Sequence, residues 1–334
     1  MAKIVILGSG GWGIALGISA NDSGNTVTLW TPFPDEAKML NEQRESDRLK
    51  GIRIPKSIAV TTDINVASRA DAIITAVPSF ALRETMERLS EVQNIGLIIN
   101  VAKGLDIKTK CRLSEVIEEY LPEAKVVVLS GPSHAEEVAL REPTTLVAAS
   151  KSEEAAEYVQ KIMTSETLRV YTGDDVVGVE LGGAFKNVIA VAAGICDGIG
   201  LGDNTKAAMM TRGLSEIARL GARLGAKQET FAGLTGIGDL IVTCTSLHSR
   251  NHNFGELVGK GVPVGEALER IGTVEGYHAA KLAHELAGMV GVELPITEAI
   301  YSALYEKHNI DDLIKYLMTR PSCAEHERSW LTKE

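Results

Sequence analysis

The stretch KIVILGSGGWGIALGIS, residues 3–19, reads as strand, turn and helix in immediate succession. Residues 3–7 are a mostly apolar run of strand type, and residues 14–19 continue as the body of a helix. Between them Gly8, Ser9, Gly10, Gly11, Trp12 and Gly13 fit the spacing GxGxxG. Gly8 permits a tight turn, Gly10 lets a pyrophosphate approach the backbone, and Gly13 allows the helix to pack on the strand. In a chain with 32 glycines the spacing alone says little. A strand before it and a helix after it make it the mark of a dinucleotide-binding unit, against the plainer reading of a glycine-rich turn without a ligand.

Working outward, residues 25–30, NTVTLW, form the second strand. An NAD-preferring site places Asp or Glu at the end of that strand, on the ribose 2′-hydroxyl. Here Thr31, Pro32 and Phe33 follow, and Asp35 is displaced beyond two prolines. With no carboxylate there to repel a 2′-phosphate and no arginine to bind one, the coenzyme expected is NADP or NAD, NADPH favoured. Trp12 and Phe33 are candidates to pack against coenzyme rings or within the core.

Apolar strand segments then recur at residues 57–61, 71–77, 96–101, 125–129 and 144–149, with helical segments at 79–89 and 111–120. This alternation predicts a mostly parallel sheet covered on both faces, with ligands beyond the carboxyl ends of the strands. After about residue 172 the strand pattern stops, and residues 176–196, 206–224, 256–260, 264–271, 275–289 and 295–307 read as helices. The expected fold class is α/β: an N-terminal Rossmann-type domain over residues 1–174, followed by an all-helical substrate-binding domain over residues 175–334.

Composition narrows the partners. A chain of 334 residues, 45% hydrophobic and 23% charged, is globular and long enough for two cores. A formal net charge of −10, without a long basic run, argues against nucleic acid. Cys111, Cys196, Cys244 and Cys323 form no CxxC pair and read as reduced thiols of a cytoplasmic protein. The amino terminus reads as a strand, too short for a signal peptide or a membrane span. His248 and His252 are four apart without a third ligand, so no metal is expected.

The second half is organised around VELGGAFKNVIAVAAGICD, residues 179–197, an apolar run of small residues with one cation, Lys186, in its middle. Wound as a helix, Lys186 shares its face with Gly182, Gly183, Ala190, Ala193 and Gly194; Asp197 closes that face and Asn187 points to its side. Glycine in a helix interior costs roughly 1 kcal/mol relative to alanine, so paired glycines beside a lysine imply a packing or functional reason. One reading is close packing against another helix, with Lys186 snorkelling or paired to an acid. The other is a groove for a ligand in a cleft between the domains, where desolvation lowers the lysine's proton affinity and lets it exchange a proton with a substrate.

Several polar residues fall at strand ends and helix starts. NVAKG, residues 100–104, places Lys103 just past a strand, where a solvated surface lysine is the commoner case. In SGPSHAE, residues 130–136, Ser133 and Glu136 match a capping box, and a capped helix start also presents amide donors suited to an anion. GLTGIGDL, residues 233–240, puts Asp239 after a glycine-rich bend, with Thr243 beyond it. SRNHN, residues 249–253, either caps a helix plainly through Ser249 or Asn251, or assembles a phosphate site from the Arg250 fork, a carboxamide and a helix amino terminus.

Taken in order, GSGGWG, VAKGL, SGPSHAEEV, ELGGAFKNVIAVAAGICDGIGLG, TRGLSEIARLGARLGA, GLTGIGDLIVTCTSLHSRNHNFG and VEGY resemble the motifs of the bacterial NAD(P)-dependent glycerol-3-phosphate dehydrogenases. The resemblance runs from Lys3 to about Met318 and departs chiefly at Thr31, Pro32 and Phe33, where many relatives carry a basic residue. It implies reversible hydride transfer between NAD(P)H and dihydroxyacetone phosphate, giving sn-glycerol 3-phosphate for phospholipid synthesis. It further implies Lys186 as the proton acceptor, with Lys103 and Asp239 around the reacting carbon and Asn187 and Thr243 nearby. Ser249, Arg250 and Asn251 match substrate-phosphate contacts, and Gly131 and Ser133, with Lys103, match further substrate contacts. Ser9, Gly11, Thr31, Lys103, Ala135, Arg250 and Glu275 fall at coenzyme-contacting positions. A homodimer is compatible with the sequence.

Two rivals differ in what they require. A related hydroxy-acid dehydrogenase of the same architecture keeps the glycine loop and a helix lysine but has no use for Ser249, Arg250 and Asn251. A non-catalytic dinucleotide sensor keeps the glycine loop alone.

Overall fold

The computed structural model describes residues 1–322 and Glu325. Its strands are β1 (Lys3–Leu7), β2 (Thr26–Trp30), β3 (Ala59–Thr61), β4 (Ala72–Thr75), β5 (Leu97–Asn100), β6 (Lys125–Ser130), β7 (Thr144–Ser150) and β8 (Leu168–Gly173). They make one sheet in the order β3-β2-β1-β4-β5-β6-β7-β8, parallel throughout except where β7 runs against β6. The expected mostly parallel, Rossmann-type sheet is therefore present.

The helices among and beyond these strands are α1 (Gly11–Asp22), α2 (Pro34–Gln43), α3 (Leu82–Ser90), α4 (Leu113–Tyr120), α5 (Ala135–Ala139), α6 (Glu153–Met163), α7 (Val176–Gly198) and α8 (Asp203–Arg223). They continue as α9 (Gln228–Phe231), α10 (Asp239–Thr245), α11 (Arg250–Gly259), α12 (Val264–Ile271), α13 (Glu275–Val290), α14 (Pro295–Tyr305) and α15 (Ile310–Met318). The glycine-rich bend before Asp239 is a π-helical turn, Leu234–Gly238.

Both faces of the sheet are covered, which is why β1 is apolar without alternation. Ile4 and Ile6 enter one core with Ile14 and Ile18 of α1 and Val159 and Ile162 of α6. Val5 and Leu7 enter the opposite core with Leu82, Met86 and Leu89 of α3 and Leu113 and Ile117 of α4. Cα packing divides the chain into two compact units, Met1–Ala184 with Glu229–Asp239, and Phe185–Gln228 with Leu240–Glu334.

α7 is long and apolar enough to cross a membrane by length and composition, yet 94% of its most apolar window is buried inside the protein, which makes it a core helix. Cys111, Cys196 and Cys244 are in no disulfide among the described residues, while Cys323 lies outside them.

In the second unit α7 and α11 cross backbone to backbone. A methyl group at Gly194 would stand 1.9 Å from the His252 carbonyl oxygen, and one at Gly198 would stand 2.4 Å from that of Glu256. From the other side, a methyl at Gly255 would stand 2.1 Å from the Val191 carbonyl oxygen, and one at Gly259 would stand 2.5 Å from that of Ile195. Pairs four residues apart on each helix thus make one glycine seam. Of the two readings of these small residues, close packing holds for Gly194, which meets α11, and for Gly182, where a methyl would meet the Thr235 carbonyl oxygen at 2.6 Å.

Gly255→Ala should accordingly destabilise the protein by about 2–3 kcal/mol or more through overpacking. Gly265→Ala, in exposed α12 with open space around it, should be neutral or slightly stabilising. Thermal unfolding of the two variants side by side checks this, and equal melting temperatures would refute the seam.

Candidate active site

The glycine loop fits a dinucleotide by its shape. Gly8 has φ +120°, and a methyl group there would lie 2.7 Å from the Ala76 carbonyl oxygen, so the turn admits only glycine. A methyl at Gly13 would lie 2.1 Å from the Gly8 carbonyl oxygen, which is the close approach of helix to strand. Gly10, in contrast, faces open space and begins α1 without any side-chain cap, leaving room and first-turn amides for a pyrophosphate. Ala135 lies against this loop, 3.8 Å from where a Gly11 methyl would be. Trp12 packs half-buried on the core, whereas Phe33 is exposed.

The end of β2 departs from the sequence reading, which found no carboxylate there. Glu36 lies in the first turn of α2, and its carboxylate accepts hydrogen bonds from Ser9 Oγ at 2.8 Å and Thr31 Oγ1 at 2.6 Å. The signal was Pro34, which opens a helix at its own position and carries Glu36 back towards the strand.

Past β5 and β6 a charged cluster forms within the first unit. Lys103 Nζ donates to Asp239 Oδ2 at 2.8 Å and to the Gly131 carbonyl oxygen at 3.0 Å. Asp239 is only 1% exposed, so Lys103 is no free surface lysine. Gly131 adopts φ +140° against the Thr145 carbonyl, a conformation that aims its own carbonyl at Lys103 and at Ser133 Oγ, which donates to it at 2.9 Å. The capping-box reading of Ser133 fails for that reason: its hydroxyl is turned back to Gly131, and α5 begins after His134 with no side-chain cap.

In the second unit Lys186 is 4% exposed and its Nζ donates to Thr243 Oγ1 at 2.6 Å. Asn187, the next residue on α7, accepts from Asn251 Nδ2 at 2.9 Å, while Asn251 Oδ1 accepts from the Gly276 amide at 2.8 Å. Asn251 therefore ties α7, α11 and the start of α13, beside half-buried Glu275, and commits one of its two amide hydrogens in doing so. Ser249 caps α11 by accepting from the His252 amide at 3.2 Å, and Arg250, exposed, stands in the first turn.

Two anchors of α7 were not read from the sequence. Within the first unit Glu180 receives the Ser114 amide at 2.8 Å and Arg112 Nη1 at 3.0 Å; burial pushes its carboxyl up against the opposing pull of Ser114 and Arg112. In the second unit Asp197 meets His252 Nε2 at 2.8 Å and Lys206 Nζ at 2.9 Å. Burial pushes the Asp197 carboxyl up, but the hydrogen bonds from Lys206 and His252 outweigh it and hold it below the usual carboxylate range. Both anchors join residues far apart in sequence, with no local spacing to reveal them.

Comparison with known proteins agrees with this layout. Residues 3–156 match the model of the NAD-dependent glycerol-3-phosphate dehydrogenase N-terminus, and residues 175–315 match that of the C-terminus. The chain is 48% identical to the glycerol-3-phosphate dehydrogenase [NAD(P)+] of Bacillus pumilus, over 98% of this chain and 97% of the relative. It is likewise 48% identical to that of Clostridium perfringens, over 96% and 98%. Among solved structures, glycerol-3-phosphate dehydrogenase from Coxiella burnetii superposes with a TM-score of 0.91 at 36% identity, covering 96% of this chain and 99% of that one.

Lys103→Met, which removes the ammonium facing buried Asp239, should cost about 3–5 kcal/mol of stability. Adding Asp239→Asn should recover a large part of it, because the pair and not either charge alone suits the site. Chemical denaturation of the two single variants and the double variant measures the coupling; strictly additive losses would contradict it.

Proposed function

The chain belongs to the NAD-dependent glycerol-3-phosphate dehydrogenase family, and from that premise we propose how its own side chains divide the work. The protein is an NAD(P)-dependent oxidoreductase that interconverts sn-glycerol 3-phosphate and dihydroxyacetone phosphate, a reaction supplying phospholipid synthesis. When bound at the glycine loop, the nicotinamide coenzyme supplies or accepts the hydride.

Lys186 handles the proton. The observation that carries this reading is a single amine, 4% exposed, the one cation of a largely apolar helix, hydrogen-bonded to Thr243. In this reading the amine is the group that exchanges a proton with the substrate. In the oxidative direction the amine takes the proton of the C2 hydroxyl; in the reductive direction the ammonium returns it to the C2 oxygen. Thr243 Oγ1 orients the nitrogen throughout.

Lys103 orients the substrate. Two of its three N–H bonds are directed to Gly131 and Asp239, and the third remains for a substrate oxygen. Asp239 holds that ammonium in place and offsets its charge. Ser133 and Gly131 line the same strand end. Arg250, with Ser249 and Asn251 at the start of α11, supplies the guanidinium, amides and remaining carboxamide hydrogen that suit the substrate phosphate. In an acidic protein such a site must be built from a few local donors. Cysteines without a CxxC pair or framework spacing suit a cytoplasmic setting.

Lys186→Ala should still fold and bind coenzyme, yet lose about 10²–10⁴ in turnover through the missing acid–base group. Steady-state rates alongside fluorescence titration with NADH and NADPH test it, and wild-type turnover in that variant ends the proposed role. Arg250→Ala should raise the apparent KM for dihydroxyacetone phosphate by about 10–100-fold, the worth of a charge-assisted hydrogen bond. It should leave the much weaker reaction of unphosphorylated dihydroxyacetone nearly unchanged. Equal changes for both substrates would make Arg250 structural.

A further inference from the structure

The position past β2 that lacks an acid in the linear sequence holds one in the fold. In a nucleotide-binding unit of this topology the pyrophosphate sits at the start of α1, and the adenosine ribose lies past the end of β2. Glu36 stands there, 14% exposed, joined at one carboxylate oxygen to the glycine loop through Ser9 and to the strand end through Thr31. We propose that Glu36 is the residue by which this enzyme reads the adenosine ribose of its coenzyme, and that it selects NADH over NADPH. The proposal rests on the glycine loop being the coenzyme site.

The carboxylate is a built feature of the fold. Ser9 and Thr31 are 3% and 1% exposed, so neither hydroxyl can turn to water instead. Thr31 Oγ1 also accepts from the Phe33 amide at 3.4 Å, which directs its own proton towards Glu36 Oε2. Oε2 is thus held by two donors, and Oε1 lies 3.4 Å from Arg48 Nη1. An ionised carboxylate only accepts hydrogen bonds. The 2′- and 3′-hydroxyls of an unphosphorylated ribose are donors and complement it. A 2′-phosphate offers only acceptors and further negative charge, so it meets repulsion at the same place.

Among the described residues Arg48 is the cation paired with this carboxylate, its Nη1 3.4 Å from Glu36 Oε1. Its backbone lies against the glycine loop, since a methyl group at Gly11 would lie 2.8 Å from the Arg48 carbonyl oxygen. Its side chain is 58% exposed on a flexible stem, in contrast to the pinned carboxylate. A largely hydrated guanidinium offsets part of the charge of Glu36 without replacing it as the group that meets the ribose.

Isothermal titration of the folded enzyme with NADH and with NADPH gives the ratio of their dissociation constants. In the wild type NADPH should bind at least ~10-fold more weakly than NADH, and Glu36→Gln, of the same shape, should reduce that ratio by ~10-fold or more, the scale of one charge-assisted hydrogen bond. Thr31→Val keeps the carboxylate but removes a hydroxyl that pins it, and should lower the ratio less, with Thr31→Ser restoring it; this arm decides the matter if Glu36→Gln unfolds. Equal affinity of the wild type for both coenzymes, or a ratio unmoved by Glu36→Gln and Thr31→Val, overturns the assignment. Failure of the wild type to bind either coenzyme would overturn instead the reading of the glycine loop on which it rests.

Discussion

The glycine seam between α7 and α11 is the constraint on which the second unit depends. Helices ordinarily pack 8–10 Å apart, separated by side chains. Where four glycines remove those side chains, carbonyl oxygens of one helix reach the Cα atoms of the other. That closeness lets short side chains do the positioning. Asn187 and Asn251 bridge the two helices directly, and the same Asn251 reaches the first turn of α13. Lys186 precedes Asn187, and Arg250 precedes Asn251. The residues proposed to handle the proton and to meet the phosphate are therefore both set by this one backbone contact.

In the first unit the corresponding constraint is electrostatic. A carboxylate as buried as Asp239 is stable only when its charge is met, and Lys103 meets it while donating also to Gly131. Gly131 can point its carbonyl at Lys103 because it occupies backbone space closed to other residues. A bend after β6, a lysine after β5 and an acid after a π-helical turn are three weak features taken singly. Their hydrogen bonds make them one rigid arrangement, so that the remaining donor of Lys103 is presented in a defined direction.

How much was legible in the sequence follows from how local each cause is. β1, β4, β5 and β6 were readable because a sheet covered on both faces needs continuous apolar runs, and Gly8, Gly10 and Gly13 because a turn of that shape admits nothing else. Lys186 stood out as a lone cation in an apolar run. Its glycine neighbours were ambiguous, because close packing and a ligand groove demand the same small residues; only the position of α11 and of the Thr235 carbonyl decides for packing. α2 was hidden by two prolines that read as loop, although Pro34 starts the helix. Ser133 misled by matching a capping box whose hydrogen bond is not made, its hydroxyl having a nearer acceptor in Gly131. β8 went unseparated because an edge strand with alternating exposure carries a weaker pattern than a central one.

The helix that bears Lys186 is also held along its length in a way that fits its task. Near its start Asp175 accepts from the Gly178 amide and from Thr230, and Glu180 binds Ser114 and Arg112. Near its end Asp197 is gripped by Lys206 and His252. These three acids are unevenly buried, from fully enclosed Glu180 to Asp197, and each is met by donors on another element, so none adds an uncompensated charge near the proton carrier. A buried amine proposed to gain and lose a proton needs surroundings that do not reorganise when it does so. Apolar packing by itself would leave the helix free to shift along its axis, since dispersion contacts have little directional preference. Hydrogen-bonded carboxylates towards both ends of the helix remove that freedom, and this accounts for acidic residues persisting in so apolar a helix.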